Sequence, residues 1–399
     1  MARPLDGVRI LDLTHMLSGP YAGMILADLG ADSIKVEPPG GEGTRRLLAD
    51  DPAHSLDGMG AYFLTLNRNK KSVCIDLKHE QGRALFLQLV AHADIVLSNF
   101  AAGVPRRLGI DYDSLSRVNP RIITCTVTGF GEDGPGAHRP AFDQVAQAAG
   151  GGMSITGQDA AHPVRAGIPI GDLGGGMFGV MGVLAALYER ERSGRGQHVD
   201  ISMLDCQVSM LNYMATMHFL SGEDPYPIGN RHFVHVPYDT FQCADGFIVI
   251  AVITDNFWHN LKRVVKLPEL DDPALDTQPG RLRERERITA ALNAALAQDS
   301  CANWLHKLER ERIPCAPVNR FSQALSDPQV LHREMVVELA HPAGGSTRGP
   351  GNPVKLSRSA EQRYTPAPLP GQHTDAVLSS LLGMDAAALS ALREQGVIA

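Results

Sequence analysis

Short runs of hydrophobic, often β-branched residues alternate with longer amphipathic stretches over the first two hundred positions. The short runs predict buried strands at residues 8–13, 33–37, 73–77, 94–98, 122–127 and 198–202. The longer stretches predict helices at residues 21–29, 80–93, 173–190 and 204–220. Alternation of this kind is typical of βαβ units, so the pattern predicts an α/β fold with a mainly parallel sheet. Ligands of such sheets bind beyond the carboxyl ends of the strands.

The pattern changes near residue 226, where prolines and a glycine interrupt it. Residues 237–252 predict a hairpin that turns at 244–246, and residues 256–265 and 283–296 predict helices. We therefore predict a large domain whose N-terminal part is residues 1–220 and a smaller α+β domain at 226–320. Residues 321–399 are predicted to form a linker and a C-terminal segment that returns to the large domain. Pro- and Gly-rich stretches at 341–353 and 365–372 predict surface linkers.

Composition narrows the function classes. The chain has 399 residues, with 37 Lys and Arg against 44 Asp and Glu, and this acidic balance argues against a nucleic-acid partner. Its six cysteines include no CxxC pair, which favours reduced thiols over a disulfide framework or a structural zinc site. The N-terminus lacks the apolar region of a signal peptide. The longest uncharged run, residues 173–188, is short and glycine-rich for a membrane span. We therefore predict a cytoplasmic protein without a membrane partner.

One glycine motif has to be distinguished from a dinucleotide site. Residues 129–134 read Gly-Phe-Gly-Glu-Asp-Gly and follow a predicted strand, which fits the GxGxxG pattern. A dinucleotide fingerprint must open directly into a helix, but Pro135 and Pro140 follow here. The segment therefore predicts a flexible glycine loop.

The segment 164–176 contains the most informative residue, Asp172. It follows a Pro/Gly turn and precedes a long apolar helix that starts with three glycines. Its side chain could simply cap the helix by accepting backbone N–H bonds. Alternatively, Asp172 could act as a nucleophile on an acyl group, because the helix dipole favours its anionic form and the adjacent glycines would let a ligand approach closely. Backbone N–H groups near Gly174–Gly176 and Gly134–Gly136 would then be candidate donors to the oxyanion. The pattern alone leaves both interpretations open.

Several segments together resemble the class III coenzyme A transferases. They are residues 4–15, 19–20, 29–39, 67–72, 98–100, 128–135, 167–176 and 371–375. The resemblance runs in order over nearly the whole chain and is therefore more specific than any one motif. Within the family, which includes formyl-CoA transferase, carnitine CoA-transferase and 2-methylacyl-CoA racemase, the sequence is most similar to acetyl-CoA:oxalate and succinyl-CoA:dicarboxylate CoA-transferases. The resemblance implies a Rossmann-like large domain, a smaller α+β domain and an interlocked homodimer.

The resemblance also assigns residues. It implies that Asp172 is the catalytic aspartate. Positions that match coenzyme A contacts are Leu17, Ser18, Ile75, Asp76, Leu77, Lys78, Asn99, Phe100, Arg107, Phe142 and Asp143. His15, His232 and His235 are candidate substrate contacts, although a structural hydrogen bond is an equal alternative for His15. We expect no metal and no tightly bound cofactor, because coenzyme A is the substrate.

The implied activity is transfer of coenzyme A from an acyl-CoA, with succinyl-CoA or acetyl-CoA as expected donors, to a carboxylic and preferably dicarboxylic acid. Leu17, Pro38 and Pro140 replace the glutamine, arginine and lysine of formyl-CoA transferase, which argues against formyl-CoA specificity. A 2-methylacyl-CoA racemase is one alternative, but it needs two acid/base groups and Phe142 stands where that branch has a histidine. A non-catalytic acyl-CoA-binding protein is the other.

Overall fold

The computed structural model describes residues 2–359 and 362–399, which form two compact units. Unit 1 contains the described residues up to Gly152 together with Arg165–Ser221 and Gln329–Ala399. Unit 2 contains Met153–Val164 and Gly222–Pro328. The segment 153–164 therefore groups with unit 2 and not with the large domain predicted from the sequence.

The strands, in chain order, are β1 (Arg9–Asp12), β2 (Asp32–Glu37), β3 (Ser55–Leu56), β4 (Met59–Gly60), β5 (Lys70–Cys74), β6 (Ile95–Ser98), β7 (Ile123–Thr128), β8 (His198–Ser202), β9 (Tyr238–Gln242), β10 (Phe247–Ala251), β11 (Cys315–Pro317), β12 (Val336–Ala340) and β13 (Ser346–Pro350). The α-helices are α1 (Ser18–Asp28), α2 (Ala61–Leu66), α3 (Glu80–Val90), α4 (Val104–Leu108), α5 (Tyr112–Val118), α6 (Asp143–Ala149), α7 (Gly152–Ile155), α8 (Ile170–Ser193), α9 (Met203–Leu211), α10 (Tyr213–Ser221), α11 (Asp255–Val265), α12 (Gln278–Arg283), α13 (Arg285–Leu296), α14 (Cys301–Arg310), α15 (Phe321–Ala324), α16 (Pro328–His332), α17 (Thr374–Leu382) and α18 (Ala386–Glu394).

Unit 1 is built on a six-stranded sheet in the order β5-β2-β1-β6-β7-β8, and every neighbouring pair is parallel. The prediction of an α/β fold with a parallel sheet is therefore confirmed. Numbered along the chain, these six strands have the order 3-2-1-4-5-6 of doubly wound folds, with the switch point between β1 and β6. A cleft for a ligand is expected where the chain leaves these two strands in opposite directions.

Helices cover both faces of this sheet, so β6 and β7 are buried along their whole length. Alternate residues of each strand point to opposite faces. Ile10, Ile95 and Ile123 pack in one core with residues of α1 and α8. Leu11 and Val96 pack in another core with residues of α3, α5, α17 and α18. The C-terminal helices therefore complete the core of the N-terminal sheet.

Helix α8 has 24 residues and is apolar enough to cross a membrane by length and composition, so the expectation that this run is too short was wrong. A core helix of a soluble protein passes the same test. Here Val180 and Val183 of α8 are buried in the core that α8 shares with α1 and the sheet.

Three sequence predictions missed long-range pairing or backbone geometry. Strand β5 ends at Cys74, before most of the predicted run 73–77, because Ile75 pairs with Ile398 and Asp76 N–H donates to a carbonyl of the C-terminal segment. The helix predicted at 204–220 is broken at Asn212, whose φ is 51°. The linker predicted at 341–353 instead contains the turn and the second strand of the antiparallel hairpin β12–β13.

Unit 2 has a three-stranded antiparallel sheet in the order β11-β10-β9, which includes the predicted hairpin. Its core contains Phe241, Ile250, Trp258 and Leu292, which are all fully buried. Arg281 is also fully buried, and its guanidinium donates to two backbone carbonyls and to an aspartate. Such complete pairing is what makes a buried charge tolerable in a core.

Candidate active site

The two strands at the switch point are joined by one side chain. Asn99 directly follows β6, and its Oδ1 accepts from His15 N–H at 2.9 Å while its Nδ2 donates to His15 O at 2.7 Å. The His15 ring lies 5.7 Å from the ring of Phe100, centroid to centroid. The structure thus brings together three of the predicted residues, His15, Asn99 and Phe100. They are close because β1 and β6 are neighbouring parallel strands that end at the same edge of the sheet.

Asp172 lies in the first turn of α8, but it does not cap the helix. Pro169 occupies the cap position, and no side-chain capping bond is made there. The first-turn N–H groups of Gly171 and Asp172 instead donate to Asp143 Oδ1 at 2.8 and 3.2 Å. The capping interpretation of Asp172 is therefore wrong, and its carboxylate is not used to satisfy the helix start.

Asp143 is held in place for this role. It is the first residue of α6, and its second oxygen, Oδ2, accepts from Gln147 Nε2 at 2.8 Å. Gln147 Oε1 in turn accepts from Ala166 N–H at 3.0 Å, which ties down the turn before α8. Gln207 Nε2 also donates to Ile170 O at 3.3 Å. This framework fixes the position of the helix end that carries Asp172.

The surroundings of Asp172 disfavour its charged form. Burial raises the pKa of Asp172 to about 6, and the nearby Asp143 carboxylate adds to the rise. At a pKa of about 6, roughly nine-tenths of the group is ionised at pH 7. A carboxylate that is ionised but poorly solvated is a better nucleophile than one in water, which suits attack on an acyl group.

The three glycines after Asp172 have a different role from the one that the sequence suggested. They lie inside α8, where backbone N–H groups bond within the helix, so they are not oxyanion donors. A Cβ on Gly175 would lie 2.7 Å from Ser18 Oγ, and one on Gly176 would lie 2.7 Å from Ser18 O. A Cβ on Gly174 would lie 2.8 Å from a side-chain carbon of Met210. The glycines therefore allow α1 and α9 to approach the start of α8 closely.

A tyrosine and a glutamate belong to the same electrostatic neighbourhood. Burial raises the pKa of Tyr62 to about 12, and the charges of Asp172, Glu42 and Asp143 add to this rise. Burial also lowers the pKa of His15, while the charge of Glu42 opposes that change. Glu42 is only 7% exposed. Its N–H donates to Glu37 at 2.9 Å. The site thus contains several carboxylates and polar rings around Asp172.

The sequence signals for the additional residues differ in strength. Gln147 lies four positions after Asp143, a spacing that places both on one face of a helix. Glu42 lies in a glycine-rich loop beyond the carboxyl end of β2, where ligands of such sheets bind. No sequence pattern points to Tyr62, because its position depends on how α2 packs in the fold.

The remaining predicted coenzyme residues lie at different distances from this cluster. Leu17 precedes α1, and Ser18 begins it and is buried against α8. Arg107 lies on α4 and is exposed, and Phe142 precedes α6 with 67% of its surface exposed. Ile75, Asp76, Leu77 and Lys78 follow β5, which β2 and β1 separate from β6. The last four residues therefore form a group of their own at the same edge of the sheet.

His232 and His235 lie in unit 2, before β9. His232 Nδ1 accepts from the N–H groups of Val234 and His235, both at 3.1 Å, and its ring stacks on Phe233 and Tyr238. Burial lowers the pKa of His232, and the neighbouring His235 adds to this effect. The two histidines thus have local structural partners, and their contact with substrate stays a prediction.

Within residues 2–359 and 362–399, the structure contains no group of three or more His, Cys, Asp or Glu side chains placed to hold a metal ion.

Unit 1 is a doubly wound α/β unit, and a poorly solvated carboxylate lies near the sheet edge at its switch point. This combination is typical of an enzyme that binds a nucleotide-containing ligand at that edge. The chain belongs to CoA-transferase family III, whose family model matches residues 5–374. It is thus a class III CoA-transferase.

Curated relatives match over most of their length. Succinyl-CoA:glutarate CoA-transferase of Mus musculus is 37% identical over 398 residues, which cover 99% of this chain and 90% of that protein. Acetyl-CoA:oxalate CoA-transferase of Acetobacter aceti is 40% identical over 357 residues, which cover 89% of each chain. Both are among the transferase types that the sequence resembled.

Solved structures agree with the fold. The crystal structure of a CAIB/BAIF family protein from Brucella suis has a TM-score of 0.85 and 34% identity, and it covers 96% of this chain and 100% of its own. Rv3272 from M. tuberculosis has a TM-score of 0.82 and 31% identity, with coverage of 94% and 98%.

Proposed function

We propose that this enzyme transfers coenzyme A from succinyl-CoA or acetyl-CoA to a small dicarboxylic acid, with Asp172 as the nucleophile. The observation that carries the proposal is the state of Asp172: its carboxylate makes no capping bond, its pKa is raised to about 6, and a second aspartate holds its backbone. The names of the relatives support the substrate classes, since they pair succinyl-CoA with glutarate and acetyl-CoA with oxalate.

The reaction needs four acyl-transfer steps. An Asp172 oxygen attacks the thioester carbonyl of the donor, the C–S bond breaks, and a mixed anhydride and the coenzyme A thiolate form. The thiolate attacks the aspartyl carbonyl and displaces the donor acid, which leaves an aspartyl-CoA thioester. The acceptor carboxylate attacks that thioester, the C–S bond breaks, and a second mixed anhydride with Asp172 and the free thiolate form. The thiolate finally attacks the acceptor's acyl carbonyl, which releases the new thioester and the Asp172 carboxylate.

Each step passes through a tetrahedral oxyanion, so backbone N–H donors are needed beside the reacting carbonyl. The glycine turn at 134–136 remains our candidate for these donors, now that the glycines of α8 are excluded. The anhydride also has to be protected from water until the thiolate attacks it.

Coenzyme A recognition is assigned to the positions that the family resemblance indicates. Leu17, Ser18, Asn99 and Phe100 would contact the coenzyme at the switch point. The group at 75–78 and Arg107 would hold its charged end, and Phe142 the pantetheine arm. We propose that the enzyme works as an interlocked homodimer in the cytoplasm, with no tightly bound cofactor.

The experiment that tests the proposal is a matrix of acceptors against donors. Succinyl-CoA, acetyl-CoA and formyl-CoA are each incubated with oxalate, glutarate and other dicarboxylic acids, and new thioesters are identified by mass spectrometry. We expect new thioesters with succinyl- or acetyl-CoA and a dicarboxylic acid. Loss of an α-deuterium from a methyl-branched acyl-CoA, without transfer, would indicate a racemase. Binding of coenzyme A without exchange of labelled succinate into succinyl-CoA would indicate a binding protein.

A further inference from the structure

Two cysteines of unit 2 meet where a hairpin turn packs against the start of a helix. Cys243 follows β9, and Cys301 is the first residue of α14. Ala244 N–H donates to Asp299 O at 3.0 Å, and Cys301 N–H donates to Asp245 Oδ1 at 2.7 Å. These bonds hold the two segments together, and the thiol of Cys301 contributes to the raised pKa of Cys243.

The other cysteines have no such neighbour. Cys74, Cys125 and Cys206 are buried on β5, β7 and α9 of unit 1. Cys315 lies on β11 and is partly exposed, like Cys301. None of these four thiols owes its pKa change to another cysteine. Among the six cysteines, which all lie in the described ranges, Cys243 and Cys301 are thus the pair placed for joint chemistry.

The two thiols differ in access. Cys243 is 2% exposed, whereas Cys301 is partly exposed. A reagent from solvent therefore reaches Cys301 first, and Cys243 is positioned behind it as the second, resolving thiol. A Cβ on Gly246 would lie 3.2 Å from Cys301 Sγ, so the turn is also closely packed against the reactive sulfur.

We propose that Cys243 and Cys301 form a dithiol that is oxidised to an intramolecular disulfide by a low-molecular-weight disulfide. The Cys301 thiolate attacks one sulfur of the reagent, its S–S bond breaks, and one small thiol leaves with the mixed disulfide formed at Cys301. Cys243 then loses its proton and attacks Cys301 Sγ, which displaces the second small thiol. In the net reaction two protein thiols are oxidised to one disulfide, and one small disulfide is reduced to two thiols.

The rate and the effect of this oxidation follow from the site. Burial raises the pKa of both thiols, that of Cys243 to about 12, so little thiolate is present at pH 7 and the reaction accelerates as the pH rises. The new bond closes the loop from 243 to 301 and restricts the unfolded chain. We expect the Tm of the oxidised protein to rise by at least about 3 °C.

The test uses the purified full-length chain and oxidised glutathione at pH 8.5. After alkylation without reduction, peptide mass spectrometry is expected to detect a Cys243–Cys301 linked peptide and the loss of two thiols per chain. In Cys243→Ala we expect glutathione to remain attached to Cys301, because the resolving thiol is missing. The matched control Cys315→Ala removes the other partly exposed thiol of unit 2 and should form the same linked peptide as the wild type.

The proposal is overturned if wild-type Cys301 retains glutathione as fully as Cys243→Ala does, or if both thiols stay reduced. A link between any other cysteines would also overturn it. The wild-type peptide map alone decides the question if a variant fails to fold. No step proposed for Asp172 uses a cysteine thiol of the protein, so this result is independent of the proposed transferase mechanism.

Discussion

Asp143 is predicted to control the pH at which the enzyme becomes active. The perturbation is Asp143→Asn, which keeps an oxygen to accept from Gly171 and Asp172 N–H but removes the negative charge beside Asp172. The new amide N–H₂ would face Gln147 Nε2, so some loss of maximal rate is expected. The informative quantity is therefore the position of the acidic limb of the pH profile and not its height.

The size of the shift follows from the causes of the raised pKa. Burial is the larger cause of the rise in the pKa of Asp172 from 3.8 to about 6, and Asp143 is the smaller one. Removing the smaller cause can therefore lower this pKa by at most ~1 pH unit. At pH 5 the ionised fraction of Asp172 would rise from roughly one-tenth to at most about one-half. At pH 5, the rate of Asp143→Asn as a fraction of its own plateau rate should thus be up to about fivefold that of the wild type.

The assay is kcat/KM for coenzyme A transfer from succinyl-CoA to a dicarboxylic acid, measured from pH 4.5 to 8. The acceptor also titrates in this range, but it does so equally with both proteins, so the difference between their profiles reports on the enzyme. Asp113→Asn, on the exposed side of α5, is the charge-matched control and should leave the limb in place. An acidic limb that stays fixed or moves to higher pH in Asp143→Asn would refute the reasoning.

Three further predictions concern stability. Between pH 3.8 and about 6 the folded protein binds the Asp172 proton more tightly than the unfolded chain does, so stability falls as the pH rises through this range. Asp172→Asn should therefore stabilise the fold at pH 7.5 by roughly 1 kcal/mol, after allowance for partial exposure, and have little effect at pH 3.5, as measured by urea unfolding. Gly176→Ala would place a Cβ 2.7 Å from a backbone oxygen of α1, so it should lower the free energy of unfolding by about 2 kcal/mol and reduce activity. In the control Gly167→Ala the new Cβ meets no atom within 4 Å, so the free energy of unfolding should change by less than ~0.5 kcal/mol. Arg68→Ala leaves the buried Asp28, 2.7 Å away, without its cation and should cost about 3–5 kcal/mol in the same assay.

Local sequence patterns were sufficient for the parallel sheet. Most strands of the six-stranded sheet contain a short hydrophobic run, and the intervening helical stretches favour parallel pairing. The end of β5 could not be predicted, because Ile75 pairs with Ile398 from the other end of the chain. The break at Asn212 was also hidden, since the hydrophobic pattern continues across it.

The candidate site was only partly accessible from sequence. Asp172 and Asp143 were both named, but their relationship was not, because a carboxylate from another helix takes the capping role usually filled from within the turn. Likewise the three glycines were consistent with close approach of a ligand, whereas the structure uses them for helix packing. Such distinctions depend on which elements become neighbours, and spacing along the chain does not contain that information.

The most direct test of the central claim is chemical trapping of the covalent intermediate on Asp172. The enzyme is incubated with succinyl-CoA, quenched rapidly with hydroxylamine or borohydride, digested, and analysed by peptide mass spectrometry. We predict a modification on Asp172 that depends on succinyl-CoA and is missing in Asp172→Asn. Steady turnover with Asp172 unmodified, or with the label on another carboxylate such as Asp143, would contradict the account.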